Sequence, residues 1–378
     1  MVKLTADYII AMIANKQREG RSLEFKQELP GSTEAAKDDF RVDVAAMANA
    51  GGGHLLYGVE DKRDKGQPTG VAKAAPGIGH QDPGQAIQRL QQILLGGIEP
   101  RVLGCNFYPV EGAGESPVLV LEVPLSWLAP HMVCRGKKQL FYSRNQSGNY
   151  QMEHREIRAA FLASEGVRTK MRRFLDERLG RIVADETPVP LLRGPRLLLH
   201  LLPVSAFAGF ELLPPQQIVE ARADFHPADY SNDYRLNLDG VLLLRPPTKD
   251  GHRTYVQVFY TGVVESVLAD IKSTQQGVPC IWPRPLEDKD VRPLLSRQLK
   301  GLERLGVQPP VVLASALLGA RGFRLWLPSE DDEDQLFSID RDVAVFPEQL
   351  LETLPASADE PVQRLFDALH LAGGHLRK

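Results

Sequence analysis

Long hydrophobic runs are missing from this chain of 378 residues. No window approaches the roughly eighteen consecutive apolar residues that a membrane-spanning helix needs, so none is expected. The opening stretch, MVKLTADYIIAMIANKQREG, reads as a short amphipathic helix. It lacks the apolar core and small-residue cleavage site of a signal peptide. Cysteine is scarce: Cys105, Cys134 and Cys280 are too few and too scattered for a disulfide framework. A reducing compartment, the cytoplasm, is therefore expected. His54, His80, His131 and His154 form no paired cluster, and His131-x-x-Cys134 with Cys105 falls short of four zinc ligands. No zinc is expected. Ser205 and Ser315 stand in no Gly-x-Ser-x-Gly setting, which argues against a nucleophile elbow. No internal repeat and no low-complexity tail are evident.

What remains is an ordinary soluble composition, 43% hydrophobic and 25% charged. The length predicts two domains, with three as the upper bound. The net charge of -3 conceals an asymmetry. Residues 1–182 carry more Lys and Arg than Asp and Glu, and residues 183–378 the reverse. Such asymmetry fits a first half that meets an anion, and chance together with an acidic loop at Ser329–Asp334 accounts for it equally well.

The first half reads as mixed α and β structure. Residues 4–18 form a candidate helix. From Ser22 to Leu29 the chain alternates, with Leu23 and Phe25 on one side and Glu24, Lys26 and Glu28 on the other, as a half-buried strand does. Residues 34–49 place Ala36, Phe40, Val44, Met47 and Ala48 on one helical face. Gly51, Gly52 and Gly53 stop that helix, and His54–Val59 is a short buried strand. Pro83–Leu95 is a second helix. Arg101–Val110 and Pro117–Val123 pair as a hairpin, Gln139–Arg144 is a further strand, and a long helix runs from Met152 to about Val183. A Pro- and Gly-rich break at Glu186–Pro195 separates a first segment, 1–182, from a second α/β segment, 183–378. In the latter Arg196–Leu202, Arg235–Leu244, Thr254–Tyr260 and Pro310–Ala314 read as strands and Pro293–Leu305 as a helix. The loop Asp229–Arg235 is polar and aromatic, and a turn before a strand explains it as well as a binding loop does.

Two stretches hold the chemistry. The triple glycine before His54 could cradle a phosphate with its amides. It follows a helix, however, and lacks the Lys and Ser/Thr of a P-loop, so a helix cap and tight turn is the simpler account. Glu60 and Asp61 end the strand after it, where a rigid exposed carboxylate suits a metal ligand or general base. Glu24 lies on the wet side of the first strand. Gly20 breaks the preceding helix and lets Glu19 fold back toward Glu24. Glu19, Glu24 and Asp61 could together hold a divalent ion for phosphodiester cleavage. On spacing alone, surface carboxylates paired with Arg18, Arg21 and Lys26 are the simpler account.

Four motifs occur in order: Glu19-x4-Glu24-Phe-Lys26, Met47-Ala-Asn-Ala-Gly-Gly-Gly53, Leu55-Leu-Tyr-Gly-Val-Glu-Asp61 and Phe141-Tyr-Ser-Arg-Asn145. Over roughly residues 15–165 this order resembles the Schlafen-type AlbA-like domain in its bacterial, single-lobed form. The resemblance implies an α+β fold: a mixed-sheet lobe with packed helices, followed here by a second α/β domain of unstated role. Bacterial members are described as DNA- or ATP-binding proteins, and animal Schlafens include endoribonucleases that cut tRNA and rRNA between two such lobes.

Carried over by position, the family's metal-binding acids match Glu19, Glu24 and Asp61, which would take Mg²⁺ or Mn²⁺. Its lysine matches Lys26, the Asn at its helix end matches Asn49 and its late-strand Arg matches Arg144. The animal zinc cluster is not recognisable here, and a two-lobed groove would require a homodimer. The implied function is a metal-dependent endoribonuclease on structured RNA such as tRNA, with catalytic Glu19, Glu24, Asp61 and Lys26. Arg21, Asn49, Lys137, Lys138, Tyr142 and Arg144 would contact the nucleic acid, and Arg168, Lys170, Arg172 and Arg173 could extend the track. The alternative is a DNA- or RNA-binding regulator without catalysis, with ATP binding a third reading.

Overall fold

The structure, a computed structural model, describes residues 3–65, 67–136, 138–208, 212–227, 233–275, 277–327, 337–354 and 357–377. Lys137, the acidic run at 329–334 and most of the loop at 229–235 lie outside the described residues. The fold is α+β, in two compact units, Met1–Arg168 and Thr169–Lys378. The division falls inside a 30-residue helix, whereas the sequence boundary at 182/183 falls at that helix's end.

Unit 1 begins with α1 (Ala6–Ala14), capped by the Thr5 side chain, which accepts from the Tyr8 amide. The helix is shorter than its sequence pattern: residues 17–19 leave it to run beside a later strand. Then come β1 (Leu23–Lys26), α2 (Glu34–Asn49), β2 (Gly53–Tyr57), β3 (Glu60–Asp64), β4 (Gln67–Ala74) and α3 (Pro83–Leu94). β5 (Ile98–Glu99), β6 (Asn106–Val110), β7 (Val118–Val123), β8 (Met132–Arg135), β9 (Lys138–Asn145), β10 (Gly148–Gln151) and α4 (His154–Val183) follow.

Three sheets result: a mixed one ordered β1-β2-β7-β6, an antiparallel one ordered β10-β9-β8-β5, and the separate ribbon β3-β4. The central strands are buried on both faces, so β7 reads VLVLEV without alternation. Leu55, Tyr57, Leu119, Leu121 and Val123 pack with Phe40, Val44 and Met47 of α2 on one face. Leu56, Val118 and Val120 pack with Ile9 and Met12 of α1 on the other.

The triple glycine belongs to this packing. A Cβ on Gly52 would stand 2.6 Å from the Leu125 nitrogen and one on Gly53 2.4 Å from the Ser22 oxygen; only Gly51 faces open space. The Gly52 amide donates to the Met47 carbonyl and closes α2. The tight-turn account therefore holds for Gly52 and Gly53.

Unit 2 holds β11 (Arg196–Pro203), α5 (Pro215–Glu220), β12 (Tyr234–Leu236), β13 (Gly240–Leu244), β14 (Thr254–Phe259), β15 (Val264–Leu268), β16 (Lys272–Gln275) and β17 (Val278–Ile281). It continues with α6 (Pro283–Pro285), α7 (Arg292–Arg304), β18 (Val311–Leu318), β19 (Arg324–Leu325), β20 (Val343–Val345), β21 (Gln349–Leu351) and α8 (Asp359–Ala372). Its large sheet is ordered β12-β13-β14-β15-β11-β18-β20, with β21 also on β18, and every pairing is antiparallel. The expected strand 235–244 is a hairpin, because the Asn237 side chain accepts from the amides of Asp239 and Gly240 and turns the chain. Glu265 is buried and accepts from Arg178, His200 and Tyr255, tying the end of α4 to β11, β14 and β15.

Candidate nucleic-acid interface

Glu24 and Lys26 stand two residues apart on β1, on the side opposite Phe25, which enters the core. Glu24 is 6% exposed and does not face water. One oxygen takes Lys26 Nζ at 2.6 Å, and the other takes the Arg144 guanidinium. Lys26 Nζ also lies 3.4 Å from an oxygen of Asp43 on α2. The other oxygen of Asp43 accepts from Asn149 Nδ2 at 2.7 Å, and Asn149 Oδ1 accepts from Arg144 at 3.0 Å. Arg144, Glu24, Lys26, Asp43 and Asn149 thus close into a ring contributed by β9, β1, α2 and β10. Two cations balance two carboxylates in it. Arg144 further donates to the Gly20 carbonyl at 2.8 Å.

The ring's electrostatics follow from burial. Loss of water raises the Asp43 carboxyl to about 7, the Glu24 charge adds to that, and Lys26 and Asn149 oppose it. Burial works against the Lys26 ammonium, but Asp43 and Glu24 outweigh it and hold the group charged above the usual lysine range.

Glu19 lies beside the ring. Its Oε1 accepts from the Phe25 amide at 2.8 Å, capping the outer edge of β1. Burial raises its carboxyl, the Phe25 amide opposes, the Glu24 charge raises it further, and Arg144 and Lys26 lower it. Asp61 is used differently. Its oxygens accept from the amides of Gly70 at 3.1 Å and Val71 at 3.0 Å. They thereby hold a β-bulge in β4, where the pairing steps from Asp61↔Ala72 to Arg63↔Pro68. The Glu19 amide donates to the Gly70 carbonyl at 2.7 Å, so Gly70 stands between the two acids.

The three acids expected to hold a metal are thus each bound to protein groups. Glu24 is neutralised by two cations, Asp61 is taken by backbone amides, and Glu19 has one oxygen on an amide. Among the described residues no group of three or more His, Cys, Asp or Glu side chains is disposed to hold a metal ion. As placed, the set does not fit Mg²⁺ or Mn²⁺, which need several oxygens converging on one point.

The expected nucleic-acid contacts separate in the same way. Arg21 is exposed and donates through Nε to the Ala50 carbonyl at 2.7 Å, and Lys138 is exposed on β9. Arg144, expected to reach a flanking phosphate, is instead 5% exposed with its donors turned inward, because β9 delivers it against the end of Glu24. The Asn49 amide is fully engaged: it donates to the carbonyls of His131 and Tyr142 and accepts from the His131 amide at 2.7 Å. It staples the end of α2 to β8 and β9. Tyr142 packs against the core beneath α2.

Asp43 and Asn149 were not among the expected site residues. A signal for Asp43 existed: three residues after Phe40 and four before Met47, it is a carboxylate on the apolar stripe of α2, and such a charge demands a buried partner. Asn149 carried none.

Residues 19–153 match the Schlafen AlbA_2 family. Over those residues the chain is similar to that family, and the match leaves the rest of the chain uncovered. The family points to nucleic acid as the partner. A solution structure of the N-terminal domain of a RecG-related protein from Nitrosomonas europaea is similar at 20% identity, over 40% of this chain and 97% of that one, with a TM-score of 0.29. Comparison with curated proteins finds no match. No helix among the described residues is long and apolar enough to cross a membrane.

Proposed function

We propose that this chain acts by binding nucleic acid rather than cutting it, with RNA as the preferred partner. The closed ring carries the non-catalytic part. A divalent ion at Glu24 would have to displace Arg144 and Lys26, leaving a guanidinium buried without its counter-charge, which is strongly unfavourable. The preference for RNA rests on the resemblance to the animal Schlafens. The three cysteines are free thiols, and the cytoplasm, as a reducing compartment, completes the proposal. A homodimer that joins two lobes into one groove is proposed with it, since the family motif covers a single lobe.

One observation favours the catalytic reading as an alternative. Glu19 is a half-buried carboxylate with a raised pKa, its second oxygen beside a glycine at Gly70, and Glu24, Lys26 and Arg144 are near enough to act on it. In that reading Mg²⁺ or Mn²⁺ would draw on Glu19, Glu24 and Asp61 after the ring opens.

Incubation of the full chain with bulk tRNA, or with duplex DNA, and either ion separates the two. Retarded but intact nucleic acid supports the binding reading. Discrete fragments that vanish with Glu24→Ala overturn it. Tighter binding of the DNA removes the RNA preference. A molar mass in solution equal to a monomer removes the dimer.

A further inference from the structure

The β3-β4 ribbon stands outside both larger sheets of unit 1. Its first strand reads Glu60-Asp61-Lys62-Arg63-Asp64 and runs on to Lys65, and the last four of these are exposed. Elsewhere in unit 1 many cations are neutralised. Lys26 and Arg144 sit in the ring, Lys37 pairs with Glu34, and Arg41 and Arg135 pair with Asp38. Among the described residues, no carboxylate lies within ion-pair distance of Lys62, Arg63 or Lys65. The ribbon's acids are largely turned to other uses: Glu60 pairs with Lys73 at 3.1 Å, and Asp61 faces back into the bulge. Asp64 alone leaves its charge beside the three cations.

The ribbon is also held. The Ala72 amide donates to the Gln17 carbonyl and the Glu19 amide to Gly70, and Arg18 bridges to Val71, so residues 17–19 run along β4 as a short third strand. The bulge adds local twist to a ribbon carrying unpaired charge. Two-stranded ribbons of this width enter or straddle nucleic-acid grooves.

We infer that the β3-β4 ribbon is a contact arm that grips the phosphate backbone of a nucleic acid through Lys62, Arg63 and Lys65. The inference rests on the nucleic-acid reading above and names the surface that performs it. Backbone contacts of this kind are indifferent to sequence and fade with salt, because each neutralised phosphate releases counterions. Asp61 then acts as a positioning residue: it sets the bulge and touches no phosphate.

The test measures binding of the full chain to fluorescein-labelled tRNA and to labelled duplex DNA by anisotropy across a salt series. The triple variant Lys62→Gln/Arg63→Gln/Lys65→Gln is expected to lower the slope of log affinity against log salt by about 2 to 3, at roughly 0.7 to 0.9 per phosphate contact. A control triple in unit 2, Arg284→Gln/Lys289→Gln/Lys300→Gln, changes net charge equally and should leave the slope unchanged. If wild type binds and the ribbon triple keeps the wild-type slope, the arm is wrong while nucleic-acid binding stands. An equal fall in the control triple also overturns the arm, since net charge would then explain it. If wild type binds neither tRNA nor DNA, the parent reading fails first. Binding to phosphatidylserine vesicles in place of nucleic acid overturns both.

Discussion

Asp43 gives the sharpest prediction, because its environment fixes both a sign and a size. Burial and the Glu24 charge raise its carboxyl to about 7 in the folded protein, from an ordinary 3.8. Between those values the folded state holds a proton that the unfolded chain has released. Stability from this group is therefore fully present at low pH and is lost as pH rises through about 7. From about pH 5.5 to about pH 8 the loss comes to about 2 kcal/mol for a single site with these two values. Lys26 does not alter the sign. Its raised pKa contributes stability that persists until far more alkaline conditions.

Asp43→Asn removes the titration while keeping the shape. Hydrogen exchange of the β2 amides, which reports unit 1 alone, should be measured for both proteins at both pH values. The variant pays a fixed cost for its weakened bond to Lys26, so only the change in the difference matters. Wild type should weaken relative to the variant by about 2 kcal/mol across the interval. Shifts from His54 and His131 cancel, being common to both proteins. Parallel profiles would refute the claim that Asp43 sits beside a charged Glu24 in a dry ring.

Other substitutions test the remaining assignments. Asp61→Ala should release the bulge and cost about 1–3 kcal/mol of local stability, read as faster exchange at Gly70 and Val71; unchanged exchange there would return Asp61 to a role outside the ribbon. Asn49→Ala leaves the carbonyls of His131 and Tyr142 without their partner and should destabilise unit 1 by about 2–3 kcal/mol in denaturant, whereas lost nucleic-acid affinity at unchanged stability would make Asn49 a contact. Gly52→Ala should cost about 1–3 kcal/mol, because its Cβ meets backbone rather than a movable side chain, and a neutral result would contradict the close approach. In unit 2, burial works against the Glu265 charge but Arg178 and His200 outweigh it and hold its carboxyl down at about 2. Its stability is thus present above the ordinary glutamate range and lost as pH falls toward 2, and Glu265→Gln should flatten that acid limb of the unfolding profile.

Much of the scaffold was legible because period and punctuation agreed. The α2 stripe of Phe40, Val44 and Met47 ended at glycines, and Pro83 opened α3 behind the capping Asp82. Misses arose where a tertiary partner overrode local pattern. Residues 15–18 looked helical yet left α1, because the β4 edge offered their backbone a partner. The ribbon was invisible because Lys62, Arg63, Asp64 and Lys65 present no apolar side, and a strand that buries neither face leaves no alternation to read. β15, VESVL, hid because a charged Glu265 stands inside a fully buried strand, and only Arg178, His200 and Tyr255, each distant in sequence or on another strand, make that tolerable.

The acids show how far a motif reaches. Glu19, Glu24 and Lys26 share one neighbourhood because β1 fixes two of them and residues 17–19, paired along β4 after α1 has ended at Ala14, deliver the third, not a helix break at Gly20. Position could not say what each carboxylate would face. That depends on α2 presenting Asp43 and on the hairpin of β9 and β10 presenting Arg144 and Asn149, more than a hundred residues from β1. Once those groups arrive, Glu24 has no vacant oxygen and Asp61 is committed to a bulge. Any hydrolytic role would need the ring to open, and the same Asp43 proton that sets the pH profile would weaken the ring's grip on Lys26. Cleavage that appears only under mildly acidic conditions, and at all pH values in Asp43→Asn, would therefore revive the catalytic reading through a definite route. Its absence in both proteins leaves the ring as a structural joint and nucleic-acid contact to the exposed cations of the ribbon.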